Sequence, residues 1–464
     1  VKGRNVTLAA VADHASSVSP VVAKSVGALV DVDSSVILAQ GGALAVRATA
    51  TTNTATEAVP IAAALQTIDS RAAVDVRGSS SLTTTTGNAD LTASSSVATE
   101  AKPTSALVKL AGDASVAIST VTSAARVHVG DTTVANVAGN LALTATNTVT
   151  TTATADASLG GATAAGAAVA VSAVNAGAAA YVDGRAAITT GGALNLAATS
   201  RNTVRVSATS AAKGAQQDSA GTSKSSQTLT KYKDFASTSE GQVQVAGALA
   251  ISELTDNTRA YLATSAATHV GGELSVRSQA AGISSSRADS GNTSGAIGVG
   301  SAVALNIGVS TNQAYVADGV VVDAKGVTVS ATVPVGEKND FGAEAKSGAG
   351  AGNVGVAGSL AANVVVNTTV ATLEGDKDGS GLGAVVEAGT GDVKVEATSA
   401  SASVVKSGAD VKGSGTSAKV GVGASVGLNV GVNTTVAAVQ DGAKVTGGKD
   451  MSLTAQAAHD VSSE

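Results

Sequence analysis

The chain has 464 residues, of which 1% are aromatic, 14% are charged and none is cysteine. Without cysteine there are no disulfides, thiolate metal sites or cysteine catalysis. The net charge of −6 comes with no basic stripe, so nucleic acid is not expected as a partner. No run of about 18 apolar residues predicts a membrane helix, and the abundance of small β-formers favours strands around a thin core.

A short phrase recurs nine times from the first residues onwards: a glycine-rich turn followed by an apolar–x–apolar–x–Ala run. Clear copies lie at 41–48, 191–198 and 447–455. Self-similarity of this kind indicates a repeat architecture. The second apolar residue of the phrase occurs, in chain order, at Leu8, Val46, Leu91, Leu143, Leu196, Val276, Val329, Val395 and Leu453.

These intervals run from 38 residues (8 to 46) to 80 residues (196 to 276). They predict one repeat array over residues 1–464, made of about nine irregular units of near 55 residues, with insertions at 211–241 and 375–383. Because both termini of the sequence lie within or just past a copy of the phrase, we expect the array to continue in a longer protein. We expect these insertions to be tolerated surface loops without a role of their own; the alternative is a binding role, because insertions in repeat arrays often lie on the face that binds a partner.

Upstream of the phrase, a unit contains a long alternating run and then a segment resembling Ala-Tyr-Val-Asp-Gly. Alternating runs lie at 297–306 and 420–429, and three of the four tyrosines, Tyr181, Tyr261 and Tyr315, share one position in the second segment. The period of two predicts three strands per unit, even in the alanine-rich stretch 162–180. We expect the bulky aliphatic residues to fill the interior and the small residues to face solvent; a close approach of two sheets through their glycine and alanine faces is left open.

Asp-Gly, Gly-Gly and Asn-Thr pairs are expected to form the turns, the last at Asn367-Thr368 and Asn433-Thr434. Stacked units then predict an all-β fold: an elongated repetitive β-solenoid, similar to a parallel β-helix. Stacked antiparallel β-hairpins remain the alternative, because periodicity does not separate the two. With one to three rungs per unit, the stack would be about 50–120 Å long at ~4.8 Å per rung.

No residue set in the sequence predicts a catalytic or metal site. The histidines, at His14, His128, His269 and His459, lack a zinc-ligand spacing and are expected to be solvated, with His128 and His269 in corresponding parts of different units. Paired carboxylates and stacking aromatics, which a polysaccharide-acting solenoid enzyme needs, are not evident either. The chain is therefore expected not to be an enzyme.

The aspartates Asp183, Asp318 and Asp441 precede glycines and are expected to be turn residues. Stacked, they could bind calcium, but the tandem Gly-Gly-x-Gly-x-Asp pattern is missing, so no cofactor is expected and calcium is the one ion left open. The threonine runs 83–86 and 148–154 are interpreted as solvent-facing β-formers. The Asn-x-Ser/Thr triplets are expected to close turns; they begin at Asn5, Asn292, Asn367 and Asn433.

The end of the chain shows the repeat most fully: the run 420–430, the Asn433-Thr434-Thr435 triplet, the segment 441–445 and the phrase 447–455. This combination resembles the β-strand repeats of large bacterial surface proteins, the filamentous-haemagglutinin-like and leukotoxin-type filamentous adhesins. The resemblance covers essentially the whole chain, most clearly 160–200 and 245–464, while the early units, 18–110, depart from the pattern. It implies export to the cell surface, a β-solenoid shaft, and adhesion or filament formation.

The expected function is a structural segment of a giant extracellular bacterial adhesin or surface filament, acting as a stiff β-rod. A self-assembling subunit of an extracellular fibre or sheath is the alternative, and a polysaccharide-acting enzyme is a weaker one. Expected partners are copies of the chain, end to end or side by side. A host-cell or neighbouring-cell surface would be bound through regions outside this sequence.

Overall fold

The computed structural model describes residues 1–464 except 16–20, 59–62, 104–111, 158–164, 213–242, 293–296, 350–353, 378, 380–381 and 411–419. Among the described residues, the strands form three sheets, here called A, B and C. Within each sheet, the neighbouring strands pair in parallel. The predicted parallel β-solenoid is therefore confirmed, and the alternative of antiparallel hairpins is wrong.

Sheet A is built from short strands: β1 (Lys2–Gly3), β4 (Val36–Ala39), β7 (Ser81–Thr84), β10 (Val134–Val137), β13 (Ala187–Thr190), β16 (Thr268–Val270), β19 (Val321–Asp323), β23 (Val385–Glu387) and β26 (Lys444–Thr446). Sheet B contains long strands: β2 (Val6–Ala15), β5 (Leu44–Ala58), β8 (Ala89–Pro103), β11 (Leu141–Ala157), β14 (Leu194–Ala212), β17 (Leu274–Asn292), β20 (Val327–Thr332), β21 (Asn339–Gly348), β24 (Val393–Asp410) and β27 (Met451–Ser463). Sheet C contains the other long strands: β3 (Val21–Asp33), β6 (Ala63–Arg77), β9 (Gly112–Val129), β12 (Ala165–Val182), β15 (Val243–Leu262), β18 (Ile297–Val316), β22 (Val354–Leu373) and β25 (Val420–Val439).

One coil of the solenoid takes the chain through a strand of sheet C, a short strand of sheet A and a strand of sheet B. Strands β12, β13 and β14 form such a coil. An Asp-Gly turn leads from sheet C to sheet A, and Gly184 adopts a φ of 65°, a conformation that favours glycine. A Gly-Gly pair leads from sheet A to sheet B. The three-strand unit predicted from the sequence therefore corresponds to one coil.

The nine copies of the phrase lie on successive strands of sheet B, and their second apolar residues form a single column. Leu8 lies beside Val46, and the column then continues without a register slip to Leu453. Each unit supplies only one rung, so the nine rungs of this column rise by about 38 Å at ~4.8 Å per step, less than the expected 50–120 Å. A 20-residue strand such as β18 spans about 66 Å, so the coil is wide.

The interior holds two hydrophobic clusters. One lies where sheet A meets the adjoining halves of sheets B and C and includes Ile188, Leu196 and Val182. The other lies between the far halves of sheets B and C and includes Leu254 and Phe341. The phrase residues of sheet B point inwards as expected, and their apolar side chains fill the interior beside sheet A.

Sheet C reverses the expected facing of its alternating runs. Over 297–309 in β18 and 354–364 in β22 the buried residues are glycine, alanine, serine and asparagine, while the bulky aliphatic residues face outwards. Nearer to sheet A the facing changes, and Val316 and Leu373 are buried. The small inward residues let sheets B and C approach closely, since a Cβ at Gly300 would lie 2.3 Å from the carbonyl oxygen of Gly348. The expectation that the bulky face fills the interior is therefore wrong for these segments of β18 and β22, while it holds for other sheet C residues such as Ile68 and Leu254.

The Asn-Thr pairs are not turns, because Asn367 and Asn433 lie in the middle of β22 and β25 and face each other across the strands. The amide Nδ2 of Asn367 donates to Oδ1 of Asn433 at 2.8 Å. Turn formation does hold for Asn5, whose Oδ1 accepts from the backbone N–H of Ala43 at 3.0 Å. Asn292 ends β17.

A polar ladder of inward side chains runs through four coils between sheets B and C. Ser284 donates to Asn306 at 2.6 Å, Asn306 donates to Asn363 at 2.8 Å, and Asn363 donates to Ser403 at 2.7 Å. Ser403 in turn donates to Asn429. Buried amides and hydroxyls are costly unless they are hydrogen-bonded, so the ladder fixes the register of neighbouring coils.

The remaining predicted segments fall as follows. The alanine-rich stretch forms β12 as expected. Insertion 211–241 lies outside the described residues apart from Ala211 and Ala212, which end β14, whereas 375–383 connects β22 to β23. In the threonine run of β11 the even-numbered residues face outwards, while Thr151 is buried and lies 2.8 Å from the hydroxyl of Thr99.

Candidate functional surface

The histidines lie on separate strands rather than in one site. His14 and His459 belong to β2 and β27 of sheet B, His128 to β9 of sheet C, and His269 to β16 of sheet A. The expectation that His128 and His269 occupy corresponding positions is therefore wrong. Among the residues that the structure describes, no group of three or more His, Asp or Glu side chains is arranged to hold a metal ion.

The outer surface of sheet C carries an aromatic ladder next to sheet A. His128, Tyr181, Tyr261 and Tyr315 occupy one column on neighbouring strands. Their ring centroids are 4.6, 4.7 and 4.8 Å apart in that order. These distances match the ~4.8 Å between strands, so the rings stack face to face along the solenoid axis. Because each ring covers the face of the next, the ladder aligns coils and offers few ring faces to a sugar.

The histidine of this ladder is held by two carboxylates. His128 Nε2 lies 2.8 Å from Asp183 Oδ1, and its Nδ1 lies 3.5 Å from Asp75 Oδ1. Burial opposes the charge of His128, but the hydrogen bonds to Asp183 and Asp75 outweigh it and raise its pKa to about 9. Arg126 also pairs with Asp75. His128 is therefore charged at neutral pH, and the expectation of a solvated histidine is wrong there.

The turn aspartates have different surroundings. Asp183, Asp318 and Asp441 all lie in the turns that lead from sheet C to sheet A, and Asp183 also accepts a hydrogen bond from His128. Gly319 and Gly442, which follow Asp318 and Asp441, have φ values of 67° and 86°. The prediction that these aspartates are turn residues is confirmed, because the glycines that follow supply the left-handed conformation.

A buried carboxyl lies inside the coil rather than on its surface. Asp256, on β15, is 1% exposed, and Thr258 Oγ1 donates to its Oδ1 at 3.0 Å. Burial raises the pKa of Asp256 to about 7, although hydrogen bonds with Ser200, Thr258 and Asn202 oppose this rise. The sequence did not predict the burial of Asp256, because an aspartate in an alternating run is typical of a turn or of a solvent-facing position.

A shallow groove crosses the outer surface of sheet C where the outward residues are small. Ala124 and Gly177 form its floor, and Arg71 and Arg126 flank it. Both arginines are ion-paired, with Asp69 and Asp75 respectively. The residues lining this groove include no carboxylate, so the groove lacks the acid pair that glycoside hydrolysis uses.

Farther from sheet A, the outer surface of sheet C is aliphatic. We call it the aliphatic face and define it by the outward-facing residues of 297–309 in β18, 354–366 in β22 and 420–432 in β25. In register it places Val303 beside Leu360 and Leu360 beside Val426. Leu360 is 42% exposed and Val426 is 57% exposed. No outward residue in these three segments is charged.

The outer surface of sheet B in the same coils is polar and charged. Arg287 of β17 pairs with Glu344 of β21 at 3.3 Å, and Lys394 pairs with Glu396 on β24 at 2.6 Å. The two long sheets of one coil therefore present opposite chemistry to their surroundings. The alternation in the sequence shows that each strand has two chemically different sides, but it does not show which side faces the interior.

Comparison with family models, with curated protein sequences and with solved structures gave no match to this chain. The part of the chain that the structure describes holds no helix with the length and apolarity required to cross a bilayer. The fold and surface described above define the class of molecule as a parallel β-solenoid with wide, three-sheet coils.

Proposed function

We propose that this chain is a structural, non-enzymatic segment of a giant extracellular bacterial adhesin or surface filament, with the β-solenoid as its shaft. One observation carries the proposal: the nine repeat units stack in register, one rung of sheet B for each unit, although their phrases are 38 to 80 residues apart. A stack of this kind supports load through continuous backbone hydrogen bonds and neighbour-to-neighbour packing, with no need for a catalytic pocket.

The composition of the chain gives further support. The absence of cysteine suits a shaft that is stabilised by stacking rather than by disulfides. The role as a subunit of a self-assembling fibre or sheath is a second candidate, favoured specifically by the aliphatic face.

The proposal is tested with antibodies raised against the purified chain and detected with gold particles on intact cells of the source organism. We expect gold on filaments outside the cell without permeabilisation, and loss of both label and filaments when the gene segment is deleted. Label that is found only after permeabilisation, or filaments that persist unchanged after deletion, would contradict the proposed role.

A further inference from the structure

The aliphatic face is unusual for the sheet that carries it. Parallel sheets are normally covered on both faces, and their strands then read as apolar on both sides. Sheet C is covered on one side by sheet B, yet in β18 and β25 large aliphatic side chains, such as Leu305 and Leu428, point the other way. Exposed apolar patches of several hundred Å² mark interaction sites in soluble proteins.

The size of the face fits a protein–protein interface. The outward segment 297–309 covers 13 residues, or about 43 Å of strand, and the three strands β18, β22 and β25 add about 14 Å of width. The product is about 600 Å², so two copies would bury about 1,200 Å², the lower end of a standard interface. The neighbouring strand β15 extends the surface. Along the described outward positions 245–255 of β15, Glu253 is the one charge.

The number of residues in each coil also favours an interaction surface on sheet C. One coil uses near 55 residues to raise the stack by ~4.8 Å, whereas a leucine-rich repeat needs 20–29 residues for each repeat. A narrow coil would build the same length from half the chain. The additional residues build two wide lateral faces, of which only that of sheet C is aliphatic in the coils containing β18 and β22.

We propose that the aliphatic face is a lateral interface between two copies of this chain, which pack with their C sheets back to back. The inference rests on the proposed structural role and names the partner. A second copy offers the same uncharged columns with the same spacing between strands, so a twofold arrangement can pair the two faces over their whole area. The pairing removes aliphatic side chains of both copies from water and leaves both charged B sheets exposed.

The experiment compares the same substitution on the two sides of one coil. Val356 lies on the aliphatic face in β22, and Val404 lies on the outer surface of sheet B in β24. We expect the purified chain to sediment as a dimer in analytical ultracentrifugation. V356K should weaken dimerisation about 30-fold or more, because it buries a lysine against aliphatic residues, while V404K should leave it unchanged.

Cysteine variants provide the second measurement and do not depend on V356K folding. Because the chain has no cysteine, V356C and V404C each carry a single thiol. A flexible bis-maleimide should cross-link V356C into covalent dimers and leave V404C monomeric. This reaction also distinguishes lateral pairing from end-to-end association through open coils, which would not place two copies of residue 356 together.

A monomeric wild-type chain would overturn the inference, as would dimers that resist V356K and do not cross-link through V356C. Binding of the monomer to phosphatidylcholine vesicles, lost in V356K, would overturn it in favour of a lipid surface. A monomeric chain that is nonetheless found on extracellular filaments would refute only the interface. Dimers of a chain that is found inside the cell would refute only the proposed function.

Discussion

Replacement of His128 by glutamine should remove a pH-dependent part of the stability of the solenoid. In the folded chain His128 contacts Asp75 and Asp183, and its pKa is raised to about 9 from an ordinary value near 6.5. Each pKa unit corresponds to about 1.4 kcal/mol, so the shift sets an upper limit of about 3.4 kcal/mol. Since the site is partly open to water, we expect about 2 kcal/mol.

The sign of the effect follows from the direction of the shift. The folded state binds the proton of His128 more tightly than the unfolded state, so this contribution is complete below pH 6.5. It is lost as the pH rises from 6.5 through about 9. The difference in unfolding free energy between the wild type and H128Q should therefore shrink by about 2 kcal/mol between pH 6 and pH 9.5.

Urea denaturation followed by circular dichroism at these two pH values measures this difference. His269 supplies the matched control, because its Nδ1 lies 3.7 Å from Asp323 and both side chains are more than 60% exposed. H269Q should change stability little at either pH. The reasoning is refuted if the effect of H128Q is the same at pH 6 and pH 9.5, or if H269Q reproduces its pH dependence.

Three further changes probe the interior. D256N should leave stability unchanged at pH 4 and raise it by about 3 kcal/mol at pH 8, because the fold raises the pKa of Asp256 from an ordinary value of about 3.9 to about 7 and so disfavours the charged carboxylate. Equal urea midpoints for the wild type and D256N at both pH values would argue against this. G300A should lower the unfolding free energy in urea by about 3 kcal/mol, since its Cβ would meet the backbone of Gly348. The control G358A, whose Cβ meets nothing within 4 Å, should lower it by less than about 1 kcal/mol. Equal losses of stability would count against the close approach of the sheets. N363A should lower the melting temperature and cost about 2–3 kcal/mol, as Asn306 and Ser403 lose a buried partner, and a loss below about 0.5 kcal/mol would contradict the role of the ladder.

The column of phrase residues from Leu8 to Leu453 was predictable, because a glycine-rich turn and an apolar pair mark the start of nine strands of sheet B; β21 is the strand of this sheet without the phrase. The stacking of Tyr181, Tyr261 and Tyr315 followed from their shared position in the unit. His128 could have been found by the same alignment, since it lies 53 residues before Tyr181 and precedes a glycine turn in the same way.

The facing of sheet C was not predictable from alternation alone. A period of two shows that Val303 and Ala304 point to opposite sides, but it does not show which side the second long sheet will cover. The close approach of sheets B and C selects the small residues for the interior, and that is a property of the packed coils. The role of Asn367 as a ladder residue rather than a turn residue has the same origin, because its partner Asn433 is 66 residues away.

The central claim is that successive units stack as parallel coils, and distances between spin labels test it directly. Arg47, Thr92, Thr144 and Glu396 belong to one outward column of sheet B. With the second label at residue 396, labels at 144, 92 and 47 should give distances of about 19, 24 and 29 Å, one strand spacing per coil. Distances that follow the number of intervening residues, or that change without a constant step, would contradict the stacked array.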